Sequence, residues 1–184
     1  MRNRIIVAAV EEINLRGFKF TMSDLTKRLS ISKSSLYEYF SSKEELVAAI
    51  LDTVLNDFRT QESKIYQSEL TIIKKLQAVL TITSQTFEPF HNRVYDDLRL
   101  TYPKEWEKVV GFRKERMNHL TALLLQGMEA GSIRPVHIGV IQHMLNSTDL
   151  TSYPFLSANN ITYPDAVAAM LDIMLHGILA EDKD

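Results

Sequence analysis

The chain has 184 residues and a mass of 21.1 kDa, enough for one or two domains with a substantial core. Hydrophobic residues make up 45% and charged residues 24%, which excludes a wholly disordered chain. The absence of cysteine excludes a disulfide framework, a thiolate zinc site, an iron–sulfur cluster and a cysteine nucleophile, and points to the cytoplasm.

The opening residues read as a mature cytosolic start. Arg2 and Arg4 precede an apolar run, but Glu11 and Glu12 follow too soon for a signal segment. The longest strictly apolar runs, 5–10 and 166–171, are six residues each, whereas a membrane span needs about 20. All five prolines lie beyond residue 88, and only Gly17 of the six glycines precedes it. Apolar residues there recur at helical spacing (Ile6, Ala9, Val10, Ile13; then Val47, Ile50, Leu51, Val54, Phe58), and no alternating run long enough for a strand is present.

A first helix is predicted over 3–16, ended by Gly17 in a left-handed conformation. A second follows Thr21, whose hydroxyl caps it while Asp24 returns the bond; Met22, Leu25 and Leu29 form its inner face. The break is Ser30-Ile31-Ser32. Ser32 then caps a third helix ending near Tyr39, with Leu36 and Phe40 inward, and Ser42 with Glu45 forms a capping box for a fourth. Longer helices are predicted over 69–86, 92–100, 104–130, 136–150 and 164–180, with a turn at 131–135 and a loop at 151–162. The fold class is all-α. An N-terminal helix-turn-helix three-helix bundle, residues 1–46, precedes a C-terminal helical ligand-binding and dimerisation bundle, residues 47–184.

Two short helices joined by a three-residue turn have the layout of a helix-turn-helix, whose second helix enters the major groove. With Leu36 at zero and about 100° per residue, the opposite face holds Ser34, Ser35, Tyr37 and Glu38, all able to hydrogen-bond. The net charge of −2 conceals an uneven distribution. Residues 1–50 carry eight basic and six acidic groups, a balance of +2, and the remainder stands at −4. Between Arg16 and Lys43 the count is six basic to two acidic, a modest patch that a solvated helical surface explains equally well. Lys33 and Lys43 are placed to meet phosphates, with oriented backbone donors at Thr21, Ser32 and Ser42. For Glu38 two readings stand: its carboxylate accepts from a cytosine amino group, or it pairs with a nearby cation.

Phe20-Thr21 and Leu25, followed by Ser32-Lys33-Ser34-Ser35-Leu36-Tyr37-Glu38-Tyr39-Phe40-Ser41-Ser42-Lys43-Glu44-Glu45-Leu46, resemble the N-terminal signature of TetR-type transcriptional regulators. The resemblance covers about the first 50 residues. Ser30 and Ser34 stand where that family often has glycine. It implies that Thr21, Ser32, Lys33, Tyr37, Tyr39 and Lys43 contact the DNA backbone and that Ser34, Ser35 and Glu38 lie nearest the bases. Tyr39 has a second reading, packed on the inner face with only its hydroxyl reaching outward.

From Ala166 to Leu179 only Asp172 and His176 are strongly polar. A helix apolar all round must be buried on more than one side, which points to a second subunit, the alternative being a well-buried central helix of a single chain. Val140, Met144, Val167, Met170, Leu171, Met174 and Ile178 are the expected homodimer contacts, in the four-helix arrangement usual in TetR-like proteins. Asp172 and His176, four apart, are placed to pair. Phe87, Phe90, Tyr95, Tyr102, Trp106, Phe112, Met117 and His119 suit an effector pocket, although aromatics at helical spacing suit a core as well.

Catalytic motifs are lacking: there is no His-Glu-x-x-His, phosphate loop or Gly-x-Ser-x-Gly. Ser30-Ile31-Ser32-Lys33 meets a Ser-x-x-Lys pattern only formally, and the one Glu-x-x-His, at 88–91, contains a proline. No enzyme, cofactor or metal is expected, and no membrane association. The resulting expectation is a homodimeric repressor released from a palindromic double-stranded DNA operator by a small-molecule effector. Its alternative is a helical small-molecule or partner-binding module with little DNA-binding role. In the first reading, the long helix starting at Lys43 carries the effector signal to the recognition helices.

Overall fold

A computed structural model describes residues 1–82, 92–146 and 158–178, and every regular element among them is helical. In chain order these are α1 (Arg2–Arg16), a 3-10 turn (Gly17–Lys19), α2 (Met22–Leu29), α3 (Lys33–Tyr37), α4 (Lys43–Gln67), α5 (Ile72–Leu80), α6 (Asn92–Thr101), α7 (Pro103–Glu129), α8 (Ile138–Asn146) and α9 (Tyr163–Ile178). The helix predicted over 69–86 begins later, because Thr71 supplies the cap by accepting from the Lys74 amide; residues 83–86 lie outside the described residues. The helix predicted over 136–150 likewise opens later, at Ile138, and its described part ends at Asn146.

The chain forms two compact units. The first comprises residues 1–59 with the described part of 83–111, so α6 and the start of α7 join α1, α2, α3 and most of α4. Its core gathers Ile5, Ala9 and Ile13 of α1, Leu25 of α2, Leu36 and Phe40 around α3, and Leu46, Val47 and Ile50 of α4. Val94, Leu98 and Tyr102, from the segment containing α6, complete it. The second unit, 60–82 with the described parts of 112–184, packs Leu76 and Val79 of α5 against Leu120, Leu123 and Leu124 of α7, Ile141 of α8, and Met174 and Leu175 of α9.

Two backbone positions hold the first unit together. Gly17 has a positive φ of 65° as predicted, but its ψ of −156° lies outside the left-handed helical well, in a region essentially reserved for glycine. A Cβ there would stand 2.6 Å from Asp97 Oδ2 of α6. Ser30, at φ 53° and ψ 46°, is left-handed; it ends α2, and its amide reaches the Lys27 carbonyl at 3.3 Å while that of Ile31 reaches Thr26 at 3.1 Å. A serine thus occupies a conformation in which glycine bears no steric penalty. Gly17→Ala should destabilise the protein by about 2 kcal/mol or more, and Ser30→Gly should stabilise it by about 0.5–1 kcal/mol. Urea denaturation of the two variants beside the parent checks both signs.

Candidate nucleic-acid interface

The site is assembled from caps. Thr21, in extended conformation, accepts the Asp24 amide on its hydroxyl at 3.2 Å, and the Asp24 carboxylate accepts the Thr21 amide and hydroxyl, both at 2.8 Å. Both halves of the predicted capping box are present. The Thr21 bonds hold the Asp24 carboxyl below its usual 3.8, with the fields of Arg16 and Lys27 adding to them. Ser32 caps α3 by accepting from the Ser35 amide at 3.0 Å, and its hydroxyl lies 2.9 Å from that of Ser34 and 3.0 Å from that of Ser35. At α4 the predicted box is redistributed. Ser42 accepts the Glu45 amide at 3.1 Å, but the Glu45 carboxylate reaches back to Ser41, taking its amide at 2.7 Å and its hydroxyl at 2.6 Å. The longer Glu45 side chain passes over Ser42 and finds two donors on one residue, which hold its carboxyl below the usual range.

Helix α3 is shorter than predicted, ending at Tyr37, although Glu38 keeps helical backbone angles and Tyr39 and Phe40 both donate to the Leu36 carbonyl at 3.1 Å. Leu36 and Phe40 are fully buried. Lys33, Ser34, Tyr37, Glu38 and Tyr39 are exposed, and Ser35 is half-buried. Tyr39 is 40% exposed, which favours the outward of its two readings.

Lys19, Phe20, Thr21, Met22, Ser23, Lys33, Tyr37 and Lys43 line one open cleft of about 410 Å³. Four of the nine residues expected at DNA therefore meet around a single concavity, beside the amides that open α2. Lys43 is half-buried. Its ammonium donates to the Phe18 carbonyl and lies 4.4 Å from the centroid of the Phe20 ring. Burial lowers its pKa, against the opposing charges of Glu44 and Asp24.

Two members of the basic patch face elsewhere. Arg28 donates through Nε to Glu11 at 2.9 Å and through Nη1 to Glu12 at 3.0 Å, and Arg16 Nε lies 2.8 Å from Glu12. Glu12 is buried. Arg28 thereby fastens α2 to α1 while Arg16 pairs with Glu12 within α1, leaving lysines to supply the charge at the cleft. Sequence spacing gave no sign of the Arg28 bonds, because those partners are 16 and 17 residues apart.

The residues considered for an effector pocket divide between the units. Tyr102 packs on Phe18 with ring centroids 5.1 Å apart, and Trp106 packs against the same core. Phe112, Met117 and His119 belong to the second unit, where Phe112 is buried and His119 is exposed. Phe87, Phe90 and the side chain of Tyr95 lie outside the described residues. A polar cluster that sequence reasoning missed is located in the second unit. Arg116 Nε lies 2.9 Å from the buried Glu62, and the neighbouring Tyr66 ring meets His119 edge-on at 5.3 Å. The Tyr66 hydroxyl is buried without a hydrogen bond to a described residue. Burial, reinforced by Glu62 against Arg116, pushes its pKa up to about 12. The available signal was a charged residue and an aromatic one helical turn apart on each of two helices.

Leu171 and Met174, expected at a subunit contact, are instead buried within their own chain. They share a stripe with Leu175 that faces inward. Among the described residues the large outward apolar side chain of α9 is Ile173, 73% exposed, and α8 presents Val140 at 54% and Met144 at 43%. Met170 is half-buried, and the side chains of Val167 and Ile178 lie outside the described residues. Asp172 and His176 meet at 3.2 Å, both well exposed, where an ion pair contributes little. Among the described residues no group of three His, Asp or Glu side chains is placed to hold a metal, and no helix is long and apolar enough to cross a membrane.

A short capped helix with a buried Leu36 and an open hydroxyl-rich face, flanked by a lysine-lined cleft, defines a helix-turn-helix module of the DNA-binding kind. Residues 5–50 match the model for bacterial regulatory proteins of the tetR family. It is similar to the uncharacterized HTH-type transcriptional regulator YvaF of Bacillus subtilis, 28% identical with 100% of this chain and 98% of that one covered. It is also similar to the HTH-type transcriptional repressor KstR2 of Mycobacterium tuberculosis, 25% identical over 98% of this chain and 94% of that one. Among solved structures, that of the regulator PfmR from Thermus thermophilus shares the fold with a TM-score of 0.73, at 22% identity, covering 98% of this chain and 100% of the other.

Replacing Thr21 by Val removes one donor from Asp24. Its carboxyl should then titrate closer to 3.8, as followed by NMR. Because the folded-state value is depressed, the bond's contribution to stability is present above the unfolded-state value and is lost as pH falls through the folded one. Parent and T21V should therefore differ most in melting temperature near neutrality, and the gap should narrow in acid to what the lost bond from the Asp24 amide to the Thr21 hydroxyl leaves.

Proposed function

We propose that the protein is a sequence-specific DNA-binding transcriptional regulator. It acts as a homodimeric repressor that a small-molecule effector releases from a palindromic operator in the cytoplasm. The observation that carries this reading is the convergence of Thr21, Lys33, Tyr37 and Lys43 on one cleft beside the open face of α3. Lysine ammonium groups, a phenol and backbone amides are the donors that phosphate oxygens take. Residues 1–46 supply the DNA-reading surface, and 47–184 supply dimerisation and effector response. Similarity to a protein named as a repressor supports the negative sign of regulation.

Dimerisation is assigned to the outward apolar residues of α8 and α9, Val140, Met144 and Ile173. Two copies would present recognition helices to half-sites ~34–36 Å apart. Effector response is assigned to the second unit, where the Glu62, Tyr66, Arg116 and His119 cluster interrupts otherwise apolar packing and offers polar handles inside it. Full release requires an effector with about 10⁴-fold preference for the non-binding state.

With a duplex selected from random DNA, Lys33→Ala should weaken binding about tenfold and flatten the salt slope by about one unit, leaving the melting temperature unchanged. Arg28→Ala should lower the melting temperature and leave the salt slope alone, since its guanidinium is engaged by Glu11 and Glu12. Equal salt slopes for the parent and K33A would reject the contact assignment. Ile173→Glu should shift the protein from dimer to monomer in sedimentation without unfolding it; a dimer of undiminished stability would remove α9 from the interface.

A further inference from the structure

We infer that Glu38 sets base preference, selecting cytosine at one position of each half-site by accepting a hydrogen bond from the N4 amino group. The inference rests on the DNA-binding reading above and extends it to the base that this side chain recognises.

The backbone fixes where Glu38 points. Its angles, φ −64° and ψ −28°, and the bond from its amide to the Ser34 carbonyl at 3.0 Å continue the helical path past Tyr37. Its side chain therefore projects about 200° around the helix from Leu36, on the side of Ser34 and away from the core. Glu38 is exposed and makes no hydrogen bond or ion pair with a described residue. Four other carboxylates of the first unit differ in this respect. Asp24 is taken up by Thr21, Glu45 by Ser41, and Glu11 and Glu12 by Arg28. The alternative that Glu38 neutralises a neighbouring cation thus has no counterpart among the described contacts.

A carboxylate can only accept hydrogen bonds. Carried against DNA, it is repelled by phosphates and by the acceptor atoms of guanine and thymine in the major groove. Two groove-floor donors remain, cytosine N4 and adenine N6. Adenine N6 stands beside N7, an acceptor that repels a second carboxylate oxygen, whereas the neighbour of N4 on cytosine is a carbon-bound hydrogen. Cytosine is therefore the favoured partner. The adjacent serines do not compete for this role, because a hydroxyl donates or accepts according to its surroundings, and those of Ser34 and Ser35 already lie within hydrogen-bond distance of the Ser32 hydroxyl.

The test is selection from random duplex DNA with the parent and Glu38→Gln, both checked for equal melting temperature. The parent should enrich a cytosine at one position per half-site, and exchanging that base pair should weaken its binding about tenfold. An amide both donates and accepts, which suits adenine N6 and N7, so E38Q should move the preference at that position to adenine and leave the other positions unchanged. Identical base distributions for the two proteins would overturn the role of Glu38 while leaving the regulator reading intact. Failure of the parent to enrich any duplex would overturn both.

Discussion

The five residues of α3 cannot hold themselves helical, since one turn of helix in water does not repay its nucleation. Their conformation is imposed by burial of Leu36, which is completely enclosed, and of Phe40 just beyond, with Ser32 satisfying an amide at the entrance. The reading surface is consequently a property of the whole first unit. Every residue that seats Leu36 contributes to the positions of Lys33, Ser34, Tyr37 and Glu38. Side chains on the outer face are free to vary in chemistry because stability is vested in the inner one.

Charge is distributed with the same separation of tasks. A guanidinium makes directional, forked bonds, and Arg28 uses that geometry to join α2 to two acids of α1. Removing it would leave the buried Glu12 with less compensation, a costly outcome inside a protein. The cations at the cleft are lysines, compact charges on flexible stems. Lys43 is intermediate between these tasks: it lines the cleft, yet its ammonium is held by the Phe18 carbonyl and the Phe20 ring. The overall net charge of −2 is therefore compatible with a basic working surface, because only the lysines have to face outward.

Features of the sequence that depend on neighbours a few residues apart were legible. The Thr21–Asp24 box, the Ser32 cap, the positive φ at Gly17 and the inward positions of Leu36 and Phe40 all follow from helical spacing and capping chemistry. Features set by distant partners were not. Nothing in the pattern around Arg28 reveals Glu11 and Glu12 as its partners, and nothing in residues 92–101 shows that they complete the core of the first unit. The α9 helix illustrates a different limit. Its apolar residues surround the axis, so hydrophobicity alone could not distinguish the Leu171, Met174 and Leu175 stripe, which its own chain covers, from Ile173, which it leaves exposed. The candidate interface showed both regimes: which residues sit on α3 was readable, whereas the inward engagement of Lys43 was not.

The placement of α6 changes what can move the reading surface. Leu98 and Tyr102 are part of the core that encloses Leu36, and the Tyr102 ring rests on Phe18. The carbonyl of that same Phe18 holds Lys43, which lines the cleft with Lys33 and Tyr37. On the opposite side of the turn, Asp97 approaches Gly17 too closely to admit a side chain. Packed interiors transmit displacement because they lack free volume. A shift of α6 along its axis therefore cannot be absorbed locally; it must move the 3-10 turn and, through Phe18, the ammonium beside the cleft. Helix α6, like α4 with its Leu46, Val47 and Ile50, thus has side chains built into the core that seats α3.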